Sequence, residues 1–224
     1  YVTPQANSRF IMVEYTHHIP PECHEAVEVL FFDDDILVVS KPSGLLSVPG
    51  RIVKDSVINR MVVDFPDLRA VHRLDLDTSG LLVFGISQLA VSELNRQFRE
   101  RTVLKEYVAE VHGLIDDDIG EIDLPISADW ENRPRQRIDY ETGKDAQTYY
   151  EVMSRGDNDT RLRLKPKTGR SHQLRIHLAE IGHPILGCDL YAHDVALSRS
   201  PRLCLHAEVL GFEHPRSKER LSYT

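Results

Sequence analysis

The sequence predicts an α+β fold, a single domain arranged as two lobes, and three observations lead there. Short β-branched and aromatic runs of strand length, at 27–32, 36–40, 81–86, 103–111, 147–152, 161–165 and 203–212, are bounded by turn-forming residues. Helical spacing of apolar residues recurs only after Ser56, after Ser87 and after Arg170. Finally, 224 residues with 41% hydrophobic content can bury one well-packed core, and no internal repeat or linker divides them.

In order along the chain, residues 1–25 are polar, broken by Pro4, Pro20 and Pro21, and are expected to form an extended arm ahead of one folded domain over 26–224. Two strands, 27–32 and 36–40, flank the acidic turn Asp33-Asp34-Asp35. Lys41-Pro42-Ser43-Gly44 then opens a loop that Pro49-Gly50-Arg51 closes. Neither G-x-x-x-x-G-K-[ST] nor G-x-G-x-x-G occurs, so nucleoside triphosphate and dinucleotide chemistry lacks its phosphate cradle. Asp55 or Ser56 caps a helix with an apolar face of Val57, Ile58, Met61, Val62 and Phe65, and Pro66 stops it.

Ser87 caps a second helix, with Leu89, Val91, Leu94 and Phe98 inward and Arg96, Arg99 and Arg101 near its end, where cations suit the helix dipole. Alternation along 103–111 puts Lys105 and Tyr107 on one face of a strand. The stretch 113–145 is turn-rich, and Asp129-Trp130-Glu131-Asn132-Arg133-Pro134-Arg135 is its most distinctive piece. Strands at 147–152 and 161–165 flank the polar turn 155–159. A helix over 172–181, with Leu174, Leu178 and Ile181 as its core stripe and Gly182 beyond its end, precedes a last strand at 203–212.

A net charge of −8 argues against a nucleic-acid binder, yet the charge is segregated. Residues 22–35 hold six acids and no Lys or Arg, and Asp116-Asp117-Asp118 is a second acidic block. The span 161–177 holds Arg161, Arg163, Lys165, Lys167, Arg170 and Arg175 and no acid, which predicts a basic face on an acidic protein. Three widely spaced cysteines without a C-x-x-C pair fit a reducing compartment and no zinc site. No apolar run approaches the roughly 20 residues of a membrane helix, so a cytoplasmic protein is expected.

The stretch His72-Arg73-Leu74-Asp75-Leu76-Asp77-Thr78-Ser79-Gly80 organises the rest. Turn chemistry alone accounts for an Asp and a Thr-Ser-Gly between apolar runs. The other reading sets Asp75 at a strand end, its backbone fixed and its carboxylate in a cleft. The helix at 172 offers a similar choice. Gln173 and His177 lie on one side, Arg170 just before, and Arg175 one residue from the core stripe. These residues make either a solvated basic helix end or a site in which Arg175 pairs with Asp75 and keeps it ionised.

These residues resemble the RluA-type pseudouridine synthases. The resemblance rests on His72-Arg73-Leu74-Asp75-x-x-Thr78-Ser79-Gly80, on Lys41-Pro42-x-Gly44 and on Lys105-x-Tyr107. It continues in Gly169-Arg170-x-His172-Gln173-x-Arg175-x-His177 and Gly182-His183-Pro184-Ile185-x-Gly187, all in the family's order over about residues 27–215. It implies that family's fold: a mixed, mostly antiparallel sheet in two lobes, with flanking helices and a central basic cleft. It also implies that Asp75 attacks the uridine, that Tyr107 positions the base and removes the C5 proton, and that Arg175 pairs with Asp75. Arg73 is implied to fill the space left by the flipped base, and Lys105, Arg170, Gln173 and His177 to contact substrate. No metal, organic cofactor or obligate protein partner is implied.

Gly44-Leu45-Leu46-Ser47-Val48-Pro49-Gly50-Arg51, Phe98-Arg99-Glu100-Arg101 and Asp129-Trp130-x-Asn132-Arg133-Pro134 resemble most the short members that modify both 23S rRNA and the tRNA anticodon stem-loop. No separate RNA-binding module of the S4 type is expected. Cys188 departs from the family's Gly-Asp pair, which questions the turn there.

Three rival readings are weaker. Ser79 lacks the G-x-S-x-G elbow of a hydrolase. His172, His177 and His183 lack a helix-face ligand spacing for a metal. An RNA-binding module or chaperone on the same fold without turnover would be marked by loss of Asp75, Tyr107 or Arg175, all of which are present.

Overall fold

Asp33 makes the first turn, its Oδ1 accepting the backbone N–H groups of Asp35 and Ile36 at 2.8 Å each. It joins β1 (Glu28–Phe32) to β2 (Ile36–Lys41) as the antiparallel hairpin expected at the acidic triplet. The computed structural model describes residues 21–224, so the arm expected over 1–25 lies, up to residue 20, outside the described residues. Helix α1 (Val57–Met61) starts at Ser56, whose Oγ accepts the Asn59 N–H, but it is shorter than its apolar pattern predicts. The Met61 carbonyl accepts from both Asp64 and Phe65, which winds the chain into a turn and leaves Val62 exposed.

Strand β3 (Arg69–Ala70) pairs with the far end of β4 (Ser79–Gly85). The central motif is therefore both things that the sequence allows, a wide hairpin connection and the loop that carries Asp75. Helix α2 (Gln88–Glu100) is capped by Ser87 as predicted. It buries Ala90, Leu94 and Gln97, with Val91 and Phe98 beside them, whereas Leu89, expected inward, is exposed. The cause is Gly85: a Cβ there would lie 2.7 Å from Val91 Cγ2, so the helix rides close on β4 through Val91 and turns Leu89 outward.

The remaining elements are β5 (Leu104–His112), β6 (Ile119–Asp123), β7 (Ile126–Ala128), β8 (Gln136–Ile138), β9 (Gln147–Arg155), β10 (Asp159–Pro166), α3 (Gln173–Glu180), α4 (Asp194–Ser198), β11 (Leu205–Glu213) and β12 (Arg220–Tyr223). Among the described residues, ten strands make one sheet in the order β1-β2-β4-β11-β5-β10-β9-β6, with β3 on β4 and β12 on β11, while β7 and β8 form a separate hairpin. Its pairings are antiparallel except where β4 meets β11 in parallel, His206 against Ser79 and Ala207 against Gly80. The sheet is thus mixed and mostly antiparallel, and this parallel seam joins its two halves.

The apolar runs of β2 and β4 are continuous because both faces of the sheet are covered there. Ile36, Val38, Leu81 and Val83 face α2 through Ala90 and Leu94. Leu37, Val39, Leu82 and Phe84 face the opposite way, onto Leu45, Val57 and Leu74. Each such side chain stabilises the fold by about 1.5–3 kcal/mol. At the seam, Gly80 has φ +110°, and a Cβ would sit 2.3 Å from the Ala207 carbonyl oxygen, so only glycine lets the strands meet.

The basic span of the sequence divides in the fold. Arg161, Arg163 and Lys165 project from β10 towards Glu110, Glu106 and Glu151 of its neighbours β5 and β9, at 3.4–3.9 Å. They form a cross-strand charge ladder. Only Lys167, Arg170 and Arg175 turn to the cleft.

Candidate active site

The loop that carries Asp75 is clamped through its backbone by the loop after β2. Ser47 Oγ accepts the Leu74 N–H at 3.0 Å and donates to the Leu74 carbonyl at 2.8 Å. The Leu76 carbonyl accepts from Gly44 N–H at 3.0 Å and from Lys41 Nζ at 2.8 Å, and Ser43 Oγ donates to the Asp77 carbonyl at 2.7 Å. Lys41 is fully buried and spends its other donors on the Pro42 and Leu45 carbonyls, and burial brings its pKa down to about 8. At the loop's start, His72 Nε2 accepts the Val83 N–H at 3.1 Å while the ring stacks on Phe98 at 4.4 Å. Burial lowers the His72 pKa to about 3, so the ring stays neutral and remains an acceptor. With both flanks tied, Asp75 projects into the cleft from a fixed backbone.

The cleft has a volume of about 510 Å³, open mouth included. Strand β5 supplies Lys105 and Tyr107 on one face, as the alternation predicts, and residues 166–170, at the end of the neighbouring β10 and just beyond it, form a second wall. Burial, and then the Asp75 carboxylate, push the Tyr107 phenol well above its ordinary range, so it stays protonated. Burial, and then Arg101, lower the Lys105 pKa. Arg73 is exposed at the mouth, and Arg99, Arg101, Lys167 and Arg170 extend the wall with no acid among them. The basic cleft lies across the seam of the sheet, reaching Leu205 of β11.

Helix α3 is the third wall, and it departs from the sequence reading. Its polar residues are interior: Gln173 is 4% exposed, Arg175 2% and His177 0%, while Ile181, expected in the core stripe, is exposed. Burial is possible because each polar group is satisfied. Gln173 Oε1 accepts from Thr168 Oγ1 and from the Arg170 N–H, and its Nε2 donates to the Gln147 carbonyl and to Thr148 Oγ1. It shapes the 168–170 wall from behind. His177, expected at the substrate, is turned away from the cleft, its ring nitrogens 3.0 Å from Thr148 Oγ1 and the Leu124 carbonyl.

Nor does Arg175 pair directly with Asp75. Its Nη2 donates to Asp189 Oδ1 at 2.5 Å and its Nε to Cys188 Sγ at 3.3 Å. The unusual Gly187-Cys188-Asp189 turn therefore forms, with φ +70° at Gly187, and supplies both acceptors. Asp75 is near enough to act on Arg175 through its charge.

Sequence reasoning has His172 in its motif but gives it no role at the site, and it missed Tyr191. His172 precedes α3 with φ +55°, a left-handed conformation costly for a residue with a Cβ. Its Nδ1 lies 2.8 Å from Tyr191 Oη, which accepts the Gln136 N–H at 2.7 Å. Burial holds the Tyr191 pKa up to about 12 and pushes that of His172 down, so a neutral phenol hydrogen-bonds a neutral imidazole that lines the cleft. A positive φ at histidine leaves no periodic trace in a sequence.

Away from the cleft, Asp33, Asp35 and His214 bring ligand-type atoms within 4.8 Å of one another. Arg216 takes both Asp35 oxygens, at 2.5 and 2.7 Å, and His214 Nε2 bonds Asp33 at 2.9 Å. This group clasps the segment after β11 onto the β1–β2 turn. No helix among the described residues is long and apolar enough to cross a membrane.

A clamped aspartate in a cation-lined cleft suits an enzyme whose substrate is a polyanion such as a nucleic acid. A family model described as RNA pseudouridylate synthase matches residues 35–180, and the chain belongs to that family, enzymes that isomerise uridine within RNA. It is 49% identical over 216 residues to the dual-specificity RNA pseudouridine synthase RluA of Pasteurella multocida (strain Pm70), covering 95% of this chain and 97% of that one. To the protein of the same description from Escherichia coli (strain K12) it is 54% identical over 190 residues, 84% and 87% of the two chains. Among solved structures, human RNA Pseudouridylate Synthase Domain Containing 1 superposes with a TM-score of 0.77 at 29% identity, over 92% of this chain and 86% of that one. A binding module without turnover is not favoured.

Proposed function

We propose that this protein converts specific uridines to pseudouridine in both 23S rRNA and the tRNA anticodon stem-loop, with residues 26–224 as a single catalytic domain and Asp75 as the nucleophile. The observation that carries the reading is the backbone clamp that holds Asp75 in a cation-lined cleft. Relatives described as dual-specificity enzymes support the pair of substrates. Three free cysteines fit a cytoplasmic site of action.

The reaction breaks the bond between N1 and the ribose, turns the uracil, and joins C5 to the same carbon; the C5 proton leaves and N1 gains one. Nothing is oxidised or hydrolysed. The Asp75 carboxylate can hold one fragment covalently or stabilise the cation that develops on the sugar. Tyr107 positions the base as a neutral phenol, because burial and Asp75 both oppose its ionisation. As a neutral phenol it takes the C5 proton only as it gives up its own, and N1, which gains a proton in the reaction, is where that proton ends. Arg175, fixed by Asp189, contributes a positive field without quenching Asp75 in a direct pair. Arg73 at the mouth fills the space of the flipped uridine, an exchange that offsets an unstacking cost of a few kcal/mol. Lys105 and Arg170 hold the substrate backbone.

The test is tritium release from transcripts labelled at uridine C5, wild type against Asp75→Asn. Release by the wild type alone, with both proteins binding RNA, is expected. Turnover by Asp75→Asn would remove Asp75 from its role, and release from only one of the two RNAs would remove the dual specificity.

A further inference from the structure

The β7–β8 hairpin ends in a tip, residues 129–135, that the chemistry above leaves without a task. Trp130 is 67% exposed there, unusual for the side chain with the most apolar surface to hide. The Arg133 guanidinium carbon lies 3.7 Å from the centroid of its ring. Asp129 holds the tip in shape: its carboxylate accepts the Asn132 backbone and side-chain N–H groups at 3.2 and 2.9 Å, and its own N–H donates to the Arg135 carbonyl at 3.1 Å. At the base, the Gln136 N–H donates to Tyr191 Oη, the same oxygen that meets His172. The tip is therefore built on the active-site framework. Arg133 and Pro134 line a mouth of the cleft together with Asp75.

We propose that Trp130 and Arg133 form a stacking platform for an unpaired nucleotide that flanks the target uridine in the substrate RNA. The inference rests on the isomerase reading and adds to it the surface that selects unpaired substrate. An indole with one face against a guanidinium offers its other face to a base, and the guanidinium plane can stack in turn. Unpaired loop nucleotides, splayed from their stack, present the flat faces that such a surface takes, whereas a paired stem presents phosphates and grooves. Because Arg133 shares the Asp75 mouth, a nucleotide on this platform lies next to the one in the cleft.

Trp130 is the only tryptophan of the chain, so its emission reports on the tip without a label. The full chain is titrated with an RNA stem-loop bearing unpaired uridines and, separately, with a blunt duplex of the same composition. The stem-loop is expected to quench the emission and the duplex to leave it unchanged. Trp130→Ala is expected to raise KM for the stem-loop about tenfold or more, and Trp130→Phe to recover most of that loss. Unchanged emission while the stem-loop is turned over, equal quenching by the duplex, or a wild-type KM in Trp130→Ala would each overturn the platform. Absence of turnover on every RNA would instead overturn the isomerase reading on which it rests.

Discussion

Arg175 donates to Asp189 at 2.5 Å on its own side of the cleft, and its Nε turns to Cys188. The guanidinium is 2% exposed and Asp189 about half exposed, so the pair sits at the boundary between core and cleft. Replacing Asp189 by Asn leaves a buried cation without its partner anion. That substitution is expected to cost about 2 kcal/mol, below the range for a fully buried pair because water reaches Asp189. Urea denaturation measures the loss. A parallel fall in turnover is expected as Arg175 moves to Asp75, and unchanged stability would show that Cys188 alone suffices.

Ser47 has no place in the chemistry, yet it both accepts from and donates to Leu74 beside the nucleophile. Ser47→Ala is expected to destabilise by about 2 kcal/mol, two buried hydrogen bonds lost at once. Its kcat should fall more than its RNA affinity, because the loop that aims Asp75 loosens while the cation-lined walls persist. Binding and single-turnover rates, taken together, decide this.

Tyr107 keeps its proton to a higher pH than a free tyrosine, whose pKa is about 10. An acid with a raised pKa stays neutral up to and beyond its ordinary value, so the rate profile should show no limb from Tyr107 below about pH 10. Tyr107→Phe is expected to lose about 100-fold or more in kcat, the scale of a positioned proton-transfer group. A limb near neutrality that disappears in Tyr107→Phe would contradict the assignment.

Asp35 is buried under Arg216, and that hydrogen bond, first among its causes, holds the carboxyl below the usual carboxylate range. The folded pKa lies below the unfolded one. The contribution is therefore complete above about pH 4 and is lost as pH falls through the folded value. Arg216 is largely exposed, so solvent screens the pair and the contribution is small. The stability difference between wild type and Asp35→Asn should be flat from pH 5 to 8 and shrink below about pH 4.

Strands buried on both faces were the most legible part of the sequence, because Ile36 to Val39 and Leu81 to Phe84 have no polar option. The cap at Ser87 was equally plain, and that of α1 was narrowed to Asp55 or Ser56, of which the fold uses Ser56. Legibility failed where a partner comes from elsewhere in the chain. Arg161, Arg163 and Lys165 read as an open basic face because their glutamates lie on β5 and β9. Gln173, Arg175 and His177 read as a solvated or substrate-facing helix side because Thr148, Thr168 and Asp189 are invisible from within α3. The short strands β7, β8 and β12 and the helix α4 carry too few periods to register. Within the site, the motif residues were found, but the Arg175 partner, the Tyr191 contact of His172 and the Ser47 clamp needed the fold.

The parallel seam also sets a schedule for the growing chain. Ser79 meets His206 across 127 residues, so the wall that backs the aspartate loop is missing until β11 has left the ribosome. So long a closure raises the contact order of the fold, which slows folding. A nascent or truncated chain lacking β11 would carry every residue of the central motif and still have no seam to hold it over a base.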